Sequence, residues 1–185
     1  WQKKVNLIGG STVENIWERH FLDSIQVSDL IKPNRNCLVD LGSGAGFPGL
    51  VLALSFLETG GPKVHLVEAN KHKASFLSAA NKLLGTNVIV HDMRLQKITS
   101  LRADILTARA LAPLDELLQF SEPFLEKTTE CLFLKGGKVG QELTQAKKNW
   151  KMKITEHNSI THKDGKILRI TKVSRIGPKQ KNISP

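Results

Sequence analysis

Tyrosine is missing from this sequence and aromatic residues make up only 5% of it. No broad platform of rings is available for stacking bases, and any such duty falls on Phe47, Trp17 or another of the few rings. Cysteine is nearly as scarce. Cys37 and Cys131 each head an apolar, strand-like run, which reads as two buried thiols in a reducing cytoplasm rather than a redox or nucleophilic pair. The six histidines show none of the short Cys/His or His/His spacings of zinc sites, so no metal is expected. Long hydrophobic runs are also lacking. The longest, such as Leu50 to Leu57, fall far below the roughly 20 residues that a membrane-spanning helix needs, so the protein is expected to be soluble, without a membrane partner. What remains, 185 residues with 40% hydrophobic content, suits one globular domain over residues 1–185 with a single sizeable core. Residue 1 is tryptophan rather than methionine, so the visible N-terminus is read as a truncation or ordered remnant, and a targeting segment stays open.

Acidic residues are missing from one place in particular. Residues 1–134 carry 14 basic and 14 acidic side chains, whereas residues 135–185 carry 13 basic and 3 acidic ones, so the whole net charge of +10 lies in the last part of the chain. A one-sided basic segment favours a polyanion, because each cation that neutralises a phosphate releases counterions. Its bland alternative is a solvated basic face. No strongly amphipathic basic helix accompanies the charge, which speaks against an acidic membrane.

The middle of the chain alternates short β-branched runs with longer helical patterns, as a parallel α/β sheet does. Strands are expected at Cys37–Leu41, Lys63–Val67, Asn87–His91, Asp104–Ala108 and Glu130–Lys135. Helices are expected at Pro48–Leu57, Lys71–Leu84, Leu114–Leu125 and Val139–Trp150, with Gly85 as a helix stop. Lys151–Glu156 and Lys166–Val173 read as a final antiparallel hairpin turning at Lys163, Asp164 and Gly165. Upstream, Ser11 and Glu14 have capping-box spacing, and Val13, Ile16, Trp17, Phe21 and Ile25 fall on one helical face that should pack on the sheet. Only Gly177–Pro185 has a disorder-like composition.

The most informative stretch is Leu38–Gly49, LVDLGSGAGFPG, a strand breaking into glycines that are expected to bring bare backbone N–H groups against a nucleotide-like ligand. Gly44, Gly46 and Gly49 satisfy G-x-G-x-x-G, which also announces a dinucleotide-binding Rossmann unit. Against that reading, Phe47-Pro48 puts bulk and a missing N–H where a pyrophosphate needs close approach. A smaller, less anionic cofactor is favoured. Glu68, 22 residues beyond Gly46 at the end of the second strand, is placed to accept both hydroxyls of an adenosine ribose. Arg109 closes an apolar run at the carboxyl edge of the sheet, where the ligand crevice of such folds opens.

The chain resembles the small-subunit ribosomal RNA guanine-N7 methyltransferases once called glucose-inhibited division protein B. The resemblance rests on Trp1-x-x-Lys4-x-Asn6-Leu7, Arg19-His20-x-x-Asp23-Ser24, the loop from Val39 to Gly49, Arg109-Ala110 and Leu134-Lys135-Gly136, and covers nearly the whole chain. It implies a class I, Rossmann-like methyltransferase fold: a doubly wound, mostly parallel α/β sheet ending in an antiparallel hairpin, after an N-terminal helical segment. It also implies S-adenosyl-L-methionine as cofactor and small-subunit (16S) ribosomal RNA, or a ribosomal particle, as partner. Gly42, Gly44 and Phe47 on the loop, Glu68, the pair Leu95-Gln96 beyond the third strand, and Arg109 match cofactor-site positions, and the Arg19-to-Ser24 element is implied to close over the cofactor. Arg94, Lys135 and Lys166 are the candidates for holding the substrate.

The implied chemistry fits what is absent. Guanine N7 offers a lone pair without a proton, so methyl transfer needs positioning and charge management and no obligatory general base. The Asn/Asp-Pro-Pro-aromatic stretch of exocyclic-amine methyltransferases is missing. Arg19 and Asp23, four apart, have an ordinary reading as a pair on a helix surface, and spacing of three or four on one helix excludes a Ser/His/Asp triad from His20, Asp23 and Ser24. Two departures from the family stand out. Some relatives carry an arginine shortly after the turn glycine of the last hairpin, where this chain has Gly165-Lys166, and lysine lacks the bidentate fork. The N-terminal helices that relatives carry before the tryptophan are missing. Two other readings remain: a non-catalytic RNA-binding protein on a methyltransferase fold, and an NAD-type oxidoreductase, for which no hydride-handling acid or base is identifiable.

Overall fold

In the computed structural model, which describes residues 1–177, the apolar runs become strands β1 Cys37–Leu41, β2 Lys63–Glu68, β3 Ile89–Asp92, β4 Ile105–Arg109 and β5 Glu130–Lys135. Strands β6 Trp150–Asn158 and β7 Lys166–Arg175 form the hairpin. All seven join one sheet in the order β3-β2-β1-β4-β5-β7-β6. The first five run parallel, and β7 enters antiparallel between β5 and β6. The strand order reverses beside β1, which opens a crevice above the carboxyl ends of β1 and β4. Of the segment Gly177–Pro185 with its disorder-like composition, residues 178–185 lie outside the described residues.

Helices α1 Gly49–Thr59 and α2 Lys71–Leu84 cover one face of the sheet, and α3 Leu114–Ser121 and α4 Val139–Asn149 the other. Local chemistry explains the boundaries. The Asn70 side chain accepts from the amides of His72 and Lys73 at the start of α2, and Gly85 ends it with φ 66°. On the first face Leu50, Leu52 and Leu77 pack on Leu38, Val64, Leu66 and Ile105. On the second, Leu114, Leu117, Leu118, Leu143 and Ala146 pack on Val39, Leu106, Cys131 and Phe133. Among the described residues no helix is long and apolar enough to cross a membrane.

Three expectations need correction. Trp150 does not end a helix but opens β6: its ring is buried, its Nε1–H donates to Asp115 Oδ1 at 2.9 Å, and Arg175 lies over it. The helix expected over Leu114–Leu125 stops at Ser121 and passes into a 3-10 turn at Glu122–Phe124, because proline at 123 has no N–H to continue the ladder. The N-terminal segment is not one amphipathic helix. It breaks into a short α-turn at Gln2–Val5, a 3-10 turn at Gly10–Thr12, a π-helical stretch at Trp17–Leu22 and an α-turn at Asp23–Ile25. Ser11 caps nothing, and Trp17 is 72% exposed rather than packed on the sheet.

Candidate functional site

The loop from Gly42 to Pro48 joins β1 to α1 over a buried carboxylate. Asp40 is fully buried; its Oδ1 accepts from the Thr107 hydroxyl at 2.7 Å and its Oδ2 from the Gly49 N–H at 3.2 Å. Burial outweighs those bonds and pushes the carboxyl up to about 6. A Cβ on Gly49 would lie 2.6 Å from Asp40 Cβ and 2.5 Å from Leu66 Cδ2, so only glycine fits. Gly42 has φ +65°, and a Cβ there would meet Leu111 Cδ1 at 2.5 Å.

The loop's amides are largely consumed inside the protein. Ser43 N–H donates to the Val67 carbonyl at 2.9 Å, Gly44 N–H to Glu68 Oε2 at 2.8 Å, and Gly46 and Phe47 N–H to the Ser43 carbonyl at 2.7 and 3.3 Å. This corrects the expectation of bare N–H groups. A pyrophosphate would find few donors here, which removes the chief support for a dinucleotide.

A cavity of about 600 Å³ lies above this loop, lined among others by Gly42, Gly44, Phe47, Glu68, Arg94, Leu95, Gln96 and Arg109. Glu68 accepts one amide on each oxygen, Gly44 on Oε2 and Asn70 on Oε1 at 2.7 Å. Each oxygen keeps a lone pair for a ligand hydroxyl. Leu95 is buried in the core and shares the cavity wall with Val67 and Phe120, while Gln96 and Arg94 stand exposed at the rim. A paired acceptor beside an apolar slot suits a ribose with its base. Arg94, expected on the substrate side, belongs to this cavity.

Arg109 forms part of the wall between this cavity and a second one. Its Nη1 donates to the Arg19 carbonyl at 2.8 Å and to Asp23 Oδ2 at 3.1 Å, its Nη2 donates to His20 Nδ1, and its guanidinium lies 5.1 Å from the Phe47 ring centroid. Arginine only donates, so His20 Nδ1 carries the lone pair and Nε2 the proton. That proton goes to Thr12 Oγ1 at 2.8 Å, and the threonine hydroxyl passes its own to the Gly9 carbonyl at 2.8 Å. Burial, then the Arg109 charge, lowers His20 to about 4 and keeps the ring neutral. Asp23 therefore pairs with Arg109 rather than with Arg19, whose contribution is its carbonyl.

The second cavity, about 680 Å³, is lined by Arg19, His20, Asp23, Arg109, Lys135, Glu142, Ser159, Thr161, His162 and Lys166 among others. His20, Arg109, Ala110 and Leu111 line both cavities. Lys135 is not an unengaged cation: its Nζ lies 2.6 Å from Glu142 Oε2 and donates to the Ala112 carbonyl at 2.8 Å. Lys166 donates to Asn158 Oδ1 across the hairpin. Asp23 Oδ1 also takes the Thr161 hydroxyl at 2.7 Å, which ties the hairpin loop to the N-terminal segment.

The reading of the sequence missed Thr12, Glu142, Thr161 and His162, which come from distant parts of the chain and carry no local motif. The two thiols stay out of both cavities. Burial raises each, Cys131 to about 12.

A family profile described as rRNA small subunit methyltransferase G matches residues 1–171. A protein named ribosomal RNA small subunit methyltransferase G from Paramagnetospirillum magneticum is 47% identical over 175 residues, covering 95% of this chain and 83% of its own. One of the same name from Rhodospirillum rubrum is 43% identical over 175 residues, with 95% and 85% covered. Among solved structures, a SAM-dependent methyltransferase from Aquifex aeolicus has TM-score 0.63 at 14% identity, with 88% of this chain and 98% of that one covered. The glycopeptide N-methyltransferase MtfA, complexed with S-adenosylmethionine, has TM-score 0.64 at 10% identity, with 82% and 93% covered. These two show a shared class I, Rossmann-like fold. With the profile covering residues 1–171, and with them both cavities, and relatives this similar over nearly all of its length, the chain belongs to the rRNA small subunit methyltransferase G family.

Proposed function

We propose that this protein is an S-adenosylmethionine-dependent methyltransferase that modifies N7 of a guanine in small-subunit (16S) ribosomal RNA. The observation that carries the reading is the pair of cavities meeting at His20, Arg109, Ala110 and Leu111, one suited to a nucleoside and the other polar and cationic at its rim. S-adenosylmethionine, when bound in the first cavity, supplies a methyl group activated by its sulfonium. Glu68 holds the ribose hydroxyls, Leu95 and Gln96 flank the base, and Gly42 and Phe47 line the loop side of the cofactor.

Arg109 and Asp23 form a compensated pair at the partition, so the guanidinium positions the substrate without adding net positive charge beside a cationic donor. Neutral His20 serves the same end. No group has to remove a proton from N7, which has none, and none of these residues is assigned that task.

A-form RNA hides N7 in a deep, narrow major groove, so the target base has to leave its stack to be reached. The second cavity is roomy enough for one nucleotide, and Arg19 and Lys166 at its rim attract the flanking phosphates. Because it acts on such a substrate, free or within a ribosomal particle, we propose that the protein works in the cytoplasm.

Labelled methyl transfer onto unmethylated small subunits and onto the naked RNA, followed by nucleoside mass spectrometry, tests the reading. One 7-methylguanosine per RNA is expected, and Glu68→Ala is expected to weaken S-adenosylmethionine binding by about tenfold or more in calorimetry. Methyl on another atom, or none despite cofactor binding, would overturn it.

A further inference from the structure

The second cavity is lined by a carboxylate with one oxygen left free of hydrogen bonds to the described residues. Glu142, in the first turn of α4, spends Oε2 on the Lys135 ammonium at 2.6 Å and on the Leu114 N–H at 2.9 Å. Among the described residues its Oε1 accepts no hydrogen bond, and Glu142 lines the cavity. Asp23, the other carboxylate on that wall, has both oxygens occupied, by Arg109 and by Thr161 and Gln26. Of the three N–H protons of Lys135 one goes to the Ala112 carbonyl, and the ammonium stands 2.6 Å from Glu142 Oε2 in an ion pair. An unspent acceptor and an unspent donor therefore stand side by side.

That pair matches one purine. Guanine presents an acceptor, O6, next to two donors, N1–H and the 2-amino group, on a single edge; adenine presents a donor and a bare nitrogen there and would meet like against like. We infer that Glu142 and Lys135 determine base specificity by reading the Watson–Crick edge of the target guanine, Glu142 Oε1 accepting from its N–H groups and the Lys135 ammonium donating to O6.

This inference rests on the proposed function and deepens it. Holding the base by N1–H, the 2-amino group and O6 leaves N7 unpaired on the adjacent edge, next to O6. The partition is close by, since the carbonyl that Lys135 grips belongs to Ala112, two residues and at most about 7 Å of chain from Ala110 on the shared wall. The same ion pair also braces the entry to α3 through Leu114 and Ala112. That structural duty affects every substrate alike, whereas edge reading affects only a substrate that carries the edge.

The test uses the full chain and small-subunit RNA carrying either guanine or inosine at the methylated position. Inosine keeps N7 and O6 and lacks the 2-amino group. Wild-type protein is expected to lose about tenfold or more in kcat/KM on inosine. Glu142→Gln is expected to lose about as much on guanine and to discriminate between the two by less than about twofold, with S-adenosylmethionine binding unchanged. Equal rates of the wild-type protein on both RNAs, or full discrimination retained in Glu142→Gln, would overturn the inference alone. Where the variant fails to fold, equal wild-type rates on the two RNAs still overturn the inference. No methylation of guanine by the wild-type protein would overturn the proposed function and this inference with it.

Discussion

Asp40 is a carboxylic acid sealed beneath the loop that forms the first cavity, and its cost is visible in its protonation. Its folded value of about 6 stands above the ordinary 3.8. The folded state thus keeps a proton that the unfolded chain releases, and the stability this brings is complete below about pH 4 and lost as pH rises through 6. Two pKa units correspond to about 3 kcal/mol. His20 works in the opposite sense: its value is lowered from 6.5 to about 4, so its contribution is present above 6.5 and lost as pH falls through 4. The two slopes oppose each other over the same window, and the wild-type curve alone conceals both. Asp40→Asn isolates the first. Asparagine can accept the Gly49 N–H and donate to the Thr107 oxygen, so the fold is expected to survive. In urea denaturation from pH 4 to 7, the variant is expected to gain about 3 kcal/mol on the wild-type protein as pH rises. Parallel curves would mean that Asp40 is ionised at no cost.

At the scale of elements, what the sequence makes legible is what local pattern controls. The apolar runs at 37–41 and 63–67 and the capped helix at 71–84 declare themselves because each is set by its own local composition, the strands by apolar residues buried against both helical layers and the helix by its Asn70 cap and Gly85 stop. Arg109 is legible too, as the charge ending an apolar strand. The N-terminal segment is not, because its shape is set by distant partners: His20 reaches Arg109, Asp23 reaches Thr161, and Gln26 Oε1 takes the Ile160 N–H at 3.0 Å. Those bonds replace helical continuity and leave Trp17 in solvent, against its place in the apolar stripe. The Lys135–Glu142 pair is hidden for the same reason, since it joins a strand end to a helix start across a turn. The link between segment and hairpin is testable. Thr161→Val keeps the shape and removes a bond to a charged acceptor, a local loss of about 1.5 to 3 kcal/mol. Faster amide exchange over residues 159–165 and a several-fold higher KM for RNA are expected, with S-adenosylmethionine affinity unchanged. A fall in cofactor affinity instead would show that the hairpin loop braces the first cavity as well.

For the molecule as a whole, charge is distributed by task. The first 134 residues are neutral in sum and build the parallel strands, while the last 51 hold the net charge of +10. Within the described residues two pairs of those cations mark two candidate tracks for RNA. Lys163 and Lys166 sit at the hairpin turn by the second cavity, and Lys151 and Lys153 are exposed on the outer strand β6. Affinity for RNA should fall with salt, the logarithmic slope growing by about 0.7 to 0.9 for each phosphate neutralised. If RNA approaches over the turn to deliver its base, changing Lys163 and Lys166 together to glutamine lowers that slope by about 1 to 2, whereas the same change at Lys151 and Lys153 lowers it by less than about 0.5. Filter binding of small-subunit RNA between 50 and about 200 mM salt measures both slopes. The reverse ranking would move the RNA track from the cavity mouth to the sheet edge, and would require the target nucleotide to cross the β6–β7 hairpin before reaching Arg109.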